Sequence, residues 1–167
     1  IDWSRDRTDD IVRKIHAADS APGVLDTILG EEYYLYGAHK EEVLRGANAG
    51  KIIAQRCGAI CLACTDGAVW VSHLKRKSAN AIEKSRNFKL PAALLLKEKL
   101  GGIPESPEDV LCQGKLSTFR EIWYEESNRV GYLHFDFHNG AMHTKQCKRL
   151  RDAYLYIRSR PIKVIVL

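Results

Sequence analysis

Long apolar runs are missing from these 167 residues. The longest, Leu94-Leu95-Leu96 and Val164-Ile165-Val166-Leu167, fall far short of the roughly 20 residues a helix needs to cross a bilayer, so no membrane span is expected. The opening Ile1-Asp2-Trp3-Ser4 has neither an initiator methionine nor the basic-then-apolar order of a secretory signal, and export is not expected. Cysteine is scarce and odd in number, five in all, with no spaced framework. That argues against a disulfide scaffold and for a reducing compartment, the cytoplasm. Also missing are a serine nucleophile elbow, a glycine-rich phosphate loop and an HExxH helix. Asp19-Ser20 and His143-Thr144 read as helix punctuation rather than as parts of a triad.

What is present is ordinary for a globular chain: 45% hydrophobic residues, enough for one medium domain or two small ones. The net charge of +5 points to anionic partners. Its basic residues are spread over 5–14, 75–86 and 145–160, without a Gly-aromatic RNA signature or finger spacing. A phosphorylated small cofactor is therefore expected ahead of nucleic acid.

The periodicity predicts a helix over 9–18, capped by Thr8, with Asp9 and Asp10 in its first turn and Ala21-Pro22-Gly23 as the stop. Residues 51–56, 59–65 and 68–74 read as a three-stranded antiparallel meander, broken at Cys57-Gly58 and at Asp66-Gly67, an Asp-Gly pair that suits a type I′ turn. Segments around Tyr33 to Tyr36 are expected to help close a small barrel or sandwich over it. Residues 75–87 and 101–117 read as linkers flanking a short helix over 91–100. In the tail, strands over 119–125 and 130–137 place Leu133, Phe135 and Phe137 on one face. A helix over 144–159 follows, with Cys147, Leu150, Tyr154 and Ile157 as its apolar stripe. The run 162–167 then reads as a parallel strand buried on both faces, completing a right-handed βαβ unit whose covering layers these residues do not supply.

Three constellations invite a chemical reading. Cys57, Cys61 and Cys64 have the spacing of an iron–sulfur triplet, but ligands must converge. Cys61 and Cys64 are an odd number apart on a strand and leave opposite faces. His134, Asp136 and His138 share one strand face, yet at ~3.3 Å per residue the outer two begin some 13 Å apart, so no metal site is expected. Lys145, Lys148 and Arg149 read as a solvated helix face beside Asp152.

Other stretches carry a resemblance. Ile1-Asp2-Trp3-Ser4, then Val12 to Ala18 and Pro22-Gly23, resembles the junction that follows the folate-binding domain of formyltransferases. Gly50 to Ala54 and Asp66 to Trp70 look like those enzymes' carboxy-terminal OB-like barrel. Gly131-Tyr132-Leu133-His134-Phe135, Asn139-Gly140-Ala141-Met142 and Lys163 to Leu167 are similar to the opening of a crotonase, the enoyl-CoA hydratase/isomerase fold. The two halves in this order resemble the HypX/HoxX hydrogenase maturation family, and Tyr33 to His39, Phe88 to Ala92 and Thr118 to Ile122 extend the likeness along the chain.

The resemblance implies an α+β architecture: a connector helix over 1–29, an OB-like antiparallel barrel over 30–78, a linker with a short helix over 79–117, and the first βαβ portion of a crotonase-like domain over 118–167. It implies a protein that moves a formyl group from 10-formyltetrahydrofolate to coenzyme A and releases carbon monoxide from formyl-CoA for a nickel–iron centre. Its partners would be the rest of its own polypeptide and the hydrogenase maturation machinery. The family's formyl-transfer residues (an Asn, the His of a His-x-Ser-x-Leu-Pro motif and an Asp) and its crotonase oxyanion hole have no counterparts here, so this segment alone is expected to be inactive and to bind neither cofactor tightly. What carries over is the loop lining the coenzyme A channel, here His138, Asn139, Gly140, Ala141 and Met142, with His143 where a serine cap is the family's habit. Two rivals are an OB-like nucleic-acid module, with Trp70 and Trp123 as stacking candidates, and the tail of a methionyl-tRNA formyltransferase.

Overall fold

The computed structural model describes residues 1–78, 87–111 and 116–167. The chain forms two compact units, Ile1–Pro107 with Leu116–Phe119, and Glu108–Lys115 with Arg120–Leu167. Residues 79–86 of the expected linker, and 112–115 with Cys112, lie outside the described residues.

Alternating apolar residues build the first unit around an antiparallel sheet. Its strands are β1 (Val24–Ile28), β2 (Glu31–Glu41), β3 (Ile52–Arg56), β4 (Ala59–Ala63) and β5 (Ala68–Arg76), hydrogen-bonded in the order β1-β2-β5-β4-β3, with the short β6 (Leu90–Pro91) against β5. The expected meander is β3-β4-β5, and Tyr33 to Tyr36 lie on β2, which pairs with both β1 and β5. Helix α1 (Thr8–Ala17) presents Ile11 and Ile15, both 0% exposed, to Leu35, Ile60, Leu62, Val69 and Val71. Helix α2 (Ala92–Leu96) and a 3-10 turn, Lys97–Leu100, add Leu96 and Leu100 to that core. The short helix is thus one turn of α-helix broken at Lys97, which sits at positive φ, and Pro91 precedes it in β6.

Two local expectations are corrected. Thr8 does not cap α1; Arg7 holds that position, and its side chain makes no capping bond to the helix. Instead the Asp66 carboxylate accepts from the Thr8 amide at 2.8 Å, the Thr8 hydroxyl at 2.7 Å and Arg7 Nε at 3.1 Å. Asp66-Gly67 is also not the positive-φ turn. That conformation occurs at Leu29-Gly30, Cys57-Gly58 and Asn128-Arg129, while Cys64 N–H donates to Gly67 O. Gly67 answers a different need, because a Cβ there would stand 3.0 Å from Thr8 Oγ1.

Those bonds hold the Asp66 carboxyl at about 2, below its ordinary 3.8. Its contribution is therefore complete above the ordinary value and lost as pH falls through the folded one. Asp66→Ala is expected to cost about 0.5–2 kcal/mol near neutrality, the worth of a helix cap. The gap from wild type should close on acidification toward pH 2, as followed by urea unfolding across pH.

The second unit is a three-stranded sheet. β7 (Ile122–Ser127) pairs antiparallel with β8 (Val130–Phe135), and β9 (Val164–Val166) runs parallel to β8. Helix α3 (Thr144–Arg158) connects β8 to β9. Ile122, Tyr124, Leu133, Phe137, Ala153 and Ile157 form its core.

Four expectations change in detail. Phe119 is not in a strand of this sheet; it is buried in the first unit, 5.8 Å from the Trp70 ring and 4.9 Å from His39. Phe135 stacks on Phe137 at 5.8 Å but is 43% exposed and not buried as Leu133 and Phe137 are. The buried stripe of α3 is Gln146, Ala153 and Ile157 with Leu150 half-buried, whereas Cys147 and Tyr154 are exposed. β9 is not buried on both faces: Ile165 packs on the core, but Val164 is 52% exposed and Val166 43%, because among the described residues no layer covers the face these two share.

Candidate functional site

The five predicted site residues fall in one loop between β8 and α3. His138–Gly140 forms a 3-10 turn in which Asn139 (φ 56°) and Gly140 (φ 68°) are consecutive left-handed residues. Gly140 N–H closes the turn on Phe137 O at 2.8 Å. His138 is half-buried, whereas Asn139, Gly140, Ala141 and Met142 are exposed. A Cβ at Gly140 would meet nothing within 4 Å, so the backbone there is open to approach from solvent. The loop is fixed at its start by Phe137, which is buried in the core of the second unit.

The loop's end is fixed by a capping box. His143 Nδ1 accepts from Lys145 N–H at 3.1 Å, and Gln146 Oε1 accepts from His143 N–H at 3.0 Å. Histidine therefore does here what a serine cap would do, and the helix starts at Thr144 as read. The opening turn of α3 carries the positive end of the helix dipole with Lys145 beside it, a setting that favours anions.

Behind the loop lies a network that sequence reading missed. Gln146 Nε2 donates to Glu121 Oε1 at 2.8 Å, and Arg149 bridges Glu121 and Glu108, reaching the latter at 3.3 Å. Glu108 Oε1 also accepts from the backbone N–H groups of Glu121 and Ile122 at 2.6 and 3.1 Å. Both carboxylate side chains are only 7% exposed. Burial raises the Glu121 carboxyl, a shift that the Arg149 guanidinium opposes. Arg149 is thus a charge partner of two carboxylates and not part of a solvated face. The available signal was spacing: Gln146 and Arg149, three residues apart, border the same face as Leu150, Ala153 and Ile157.

The remaining candidates separate as chemistry requires. Cys61 is buried in the cluster of Ala54, Ala59, Ala68, Trp70 and Phe119, Cys64 in the opposite one with Ile60 and Leu62. Burial pushes both thiols up, Cys64 to about 11, so neither is a ready ligand. His134 stacks on Trp123 at 5.0 Å, and its Nε2 lies 3.8 Å from Glu125. Among the described residues no group of three or more His, Cys, Asp or Glu could hold a metal, and no helix is long and apolar enough to cross a membrane. Trp70 is 0% exposed and donates to Glu41, leaving no ring face for a base.

The formyl transferase C-terminal domain family matches residues 1–89. The hydrogenase maturation factor HoxX of Bradyrhizobium diazoefficiens is 37% identical over all 167 residues, which span 27% of that protein. The crystal structure of HypX from Aquifex aeolicus in complex with tetrahydrofolic acid superposes on the whole chain with a TM-score of 0.92 and 41% identity, over 28% of its own length. A multiply substituted variant of the same protein gives 0.92 and 41%, with 29% of it covered. The chain spans a little over a quarter of the relatives it matches.

Proposed function

We propose, for a chain that belongs to the HypX/HoxX hydrogenase maturation family and carries its formyl transferase C-terminal domain, that the complete protein passes a formyl group from 10-formyltetrahydrofolate to coenzyme A and releases carbon monoxide from formyl-CoA for a nickel–iron hydrogenase. The observation that carries this reading is the extent of the likeness: it runs through both units, at 37% and 41% identity. A methionyl-tRNA formyltransferase tail would account for residues 1–89 and leave the second unit unexplained. Folate involvement rests on the tetrahydrofolic acid bound by the Aquifex relative.

Within this scheme the first unit is scaffold, and the second, in our reading, opens a crotonase-like domain whose 138–142 loop touches coenzyme A. The residues fit such a ligand. Asn139 to Met142 are exposed, Gly140 leaves its backbone uncovered, and Lys145 with the first turn of α3 suits a phosphorylated molecule. Coenzyme A supplies the thiol that accepts the formyl group and is regenerated when carbon monoxide leaves. The loop's own task is to orient its ligand through main-chain groups; neither the loop nor the network behind it is assigned a proton transfer.

The full-length protein, given formyltetrahydrofolate labelled with carbon-13 in the formyl group, is expected to release labelled carbon monoxide only when coenzyme A is present. Labelled formate as the sole product, with or without coenzyme A, would refute the reading.

A further inference from the structure

We infer that Glu121 is a positioning residue that clamps both ends of the 138–142 loop, with Gln146 as the arm that reaches the far end. The inference rests on the reading of that loop as a coenzyme A contact, and its geometry stands apart from it. At the near end, the Glu121 carbonyl accepts from Asp136 N–H at 2.9 Å. At the far end, the Glu121 carboxylate accepts from Gln146, which in turn accepts from His143 N–H. One buried residue thus fixes the chain where it leaves β8 and again where it enters α3.

Gln146 suits this role because a single amide both donates and accepts, toward Glu121 and toward the helix cap respectively. It is 6% exposed and Glu121 is 5% exposed, so neither bond has water as a ready substitute. Arg149 and Glu108 hold Glu121 from the other side, and the Glu108 carboxylate binds the Glu121 amide itself. The clamp is therefore rigid where it meets the sheet, while Asn139 to Met142, at its open side, are exposed.

Two variants of the full-length protein test this. In Gln146→Ala, backbone amides of 138–143 are expected to exchange about fivefold to tenfold faster, the worth of one buried hydrogen bond. Those of Tyr124 and Leu133 should keep their wild-type rates, and the Kd for coenzyme A should rise by a similar factor. Gln146→Glu supplies a readout that general loosening would not move. A neutral carboxyl there keeps both bonds, whereas an ionised one repels Glu121. Its loop exchange, relative to wild type, should be near one at pH 5 and clearly raised at pH 8. Unchanged loop exchange in Gln146→Ala, or equal acceleration at Tyr124 and Leu133, overturns the clamp. Faster loop exchange with an unchanged Kd upholds the clamp and removes the coenzyme reading of the loop.

Discussion

Replacing Arg149 by leucine is expected to destabilise the second unit by about 3–5 kcal/mol, the cost of stripping one partner from a buried ion pair. Arg149 serves two carboxylates, Glu108 and Glu121, each only 7% exposed, so its loss leaves two like charges facing each other in a poorly solvated space. The expected pH dependence has a definite sign. The Glu121 carboxyl already lies above its ordinary 4.5 when folded, so the folded chain takes up a proton more readily than the unfolded one. Stability from this group therefore falls as pH rises through that range. Without Arg149 the upward shift grows, and the deficit against wild type should be larger at pH 8 than at pH 5. Urea unfolding at both values, followed by far-ultraviolet circular dichroism, measures it. A deficit under 1 kcal/mol, or one independent of pH, would show that the network is not what holds α3 to β7.

The first unit has its own buried charge, and Glu41→Ala is expected to be of comparable severity, again about 3–5 kcal/mol. Glu41 is 0% exposed. One oxygen accepts from the Val43 and Leu44 amides at 2.6 and 2.9 Å, the other from Trp70 Nε1 and Thr118 Oγ1, both at 2.5 Å. Arg56, 7% exposed, donates to Thr118 Oγ1 and to Phe119 O at 2.7 Å and lies 4.7 Å from the Trp70 ring centroid. Together they stitch residues 116–119 into the first unit. Glu41→Gln retains one acceptor and should cost about half as much or less. A double-mutant cycle with Thr118→Val should give a coupling of at least about 1 kcal/mol. Additivity of the two substitutions would mean that Thr118 is held by Arg56 alone.

Turn residues such as Cys57-Gly58 and Asp66-Gly67 set off apolar runs that read as strands, with side chains alternating between faces: Ile52–Arg56, Ala59–Ala63, Ala68–Arg76 and Val130–Phe135 each begin within one residue of the expected start. The opposite faces of Cys61 and Cys64 followed from the same arithmetic. The resemblance at Ile1-Asp2-Trp3 and Pro22-Gly23 has physical grounds. Trp3 Nε1 donates to Asp26 at 2.7 Å and covers Gly50. Gly23, at φ 90°, leaves room for the Tyr36 ring, which a Cβ would approach to 2.5 Å.

Bonds between residues distant in sequence were not legible. Asp66 caps α1 across 58 residues, and Glu121 meets Gln146 across 25. Nothing in local propensity announces either. The stripe of α3 departs from its apolar pattern for a related reason: polar Gln146 takes a buried position because Glu121 satisfies it, and hydropathy alone assigns such a place to an apolar neighbour. The composition of Val164–Val166 predicts a doubly buried strand, but burial depends on the layers packed over each face, and here only the Ile165 face meets the core. The 138–142 stretch is legible as a break between strand and helix, whereas its two consecutive left-handed residues are not.

Hydrogen exchange on the full-length protein, with and without coenzyme A, tests most directly whether the β8–α3 loop meets that ligand. Slower exchange at 139–142 and at the first turn of α3 is the expected result. Protection by coenzyme A elsewhere in the protein, with these amides unaffected, would contradict it.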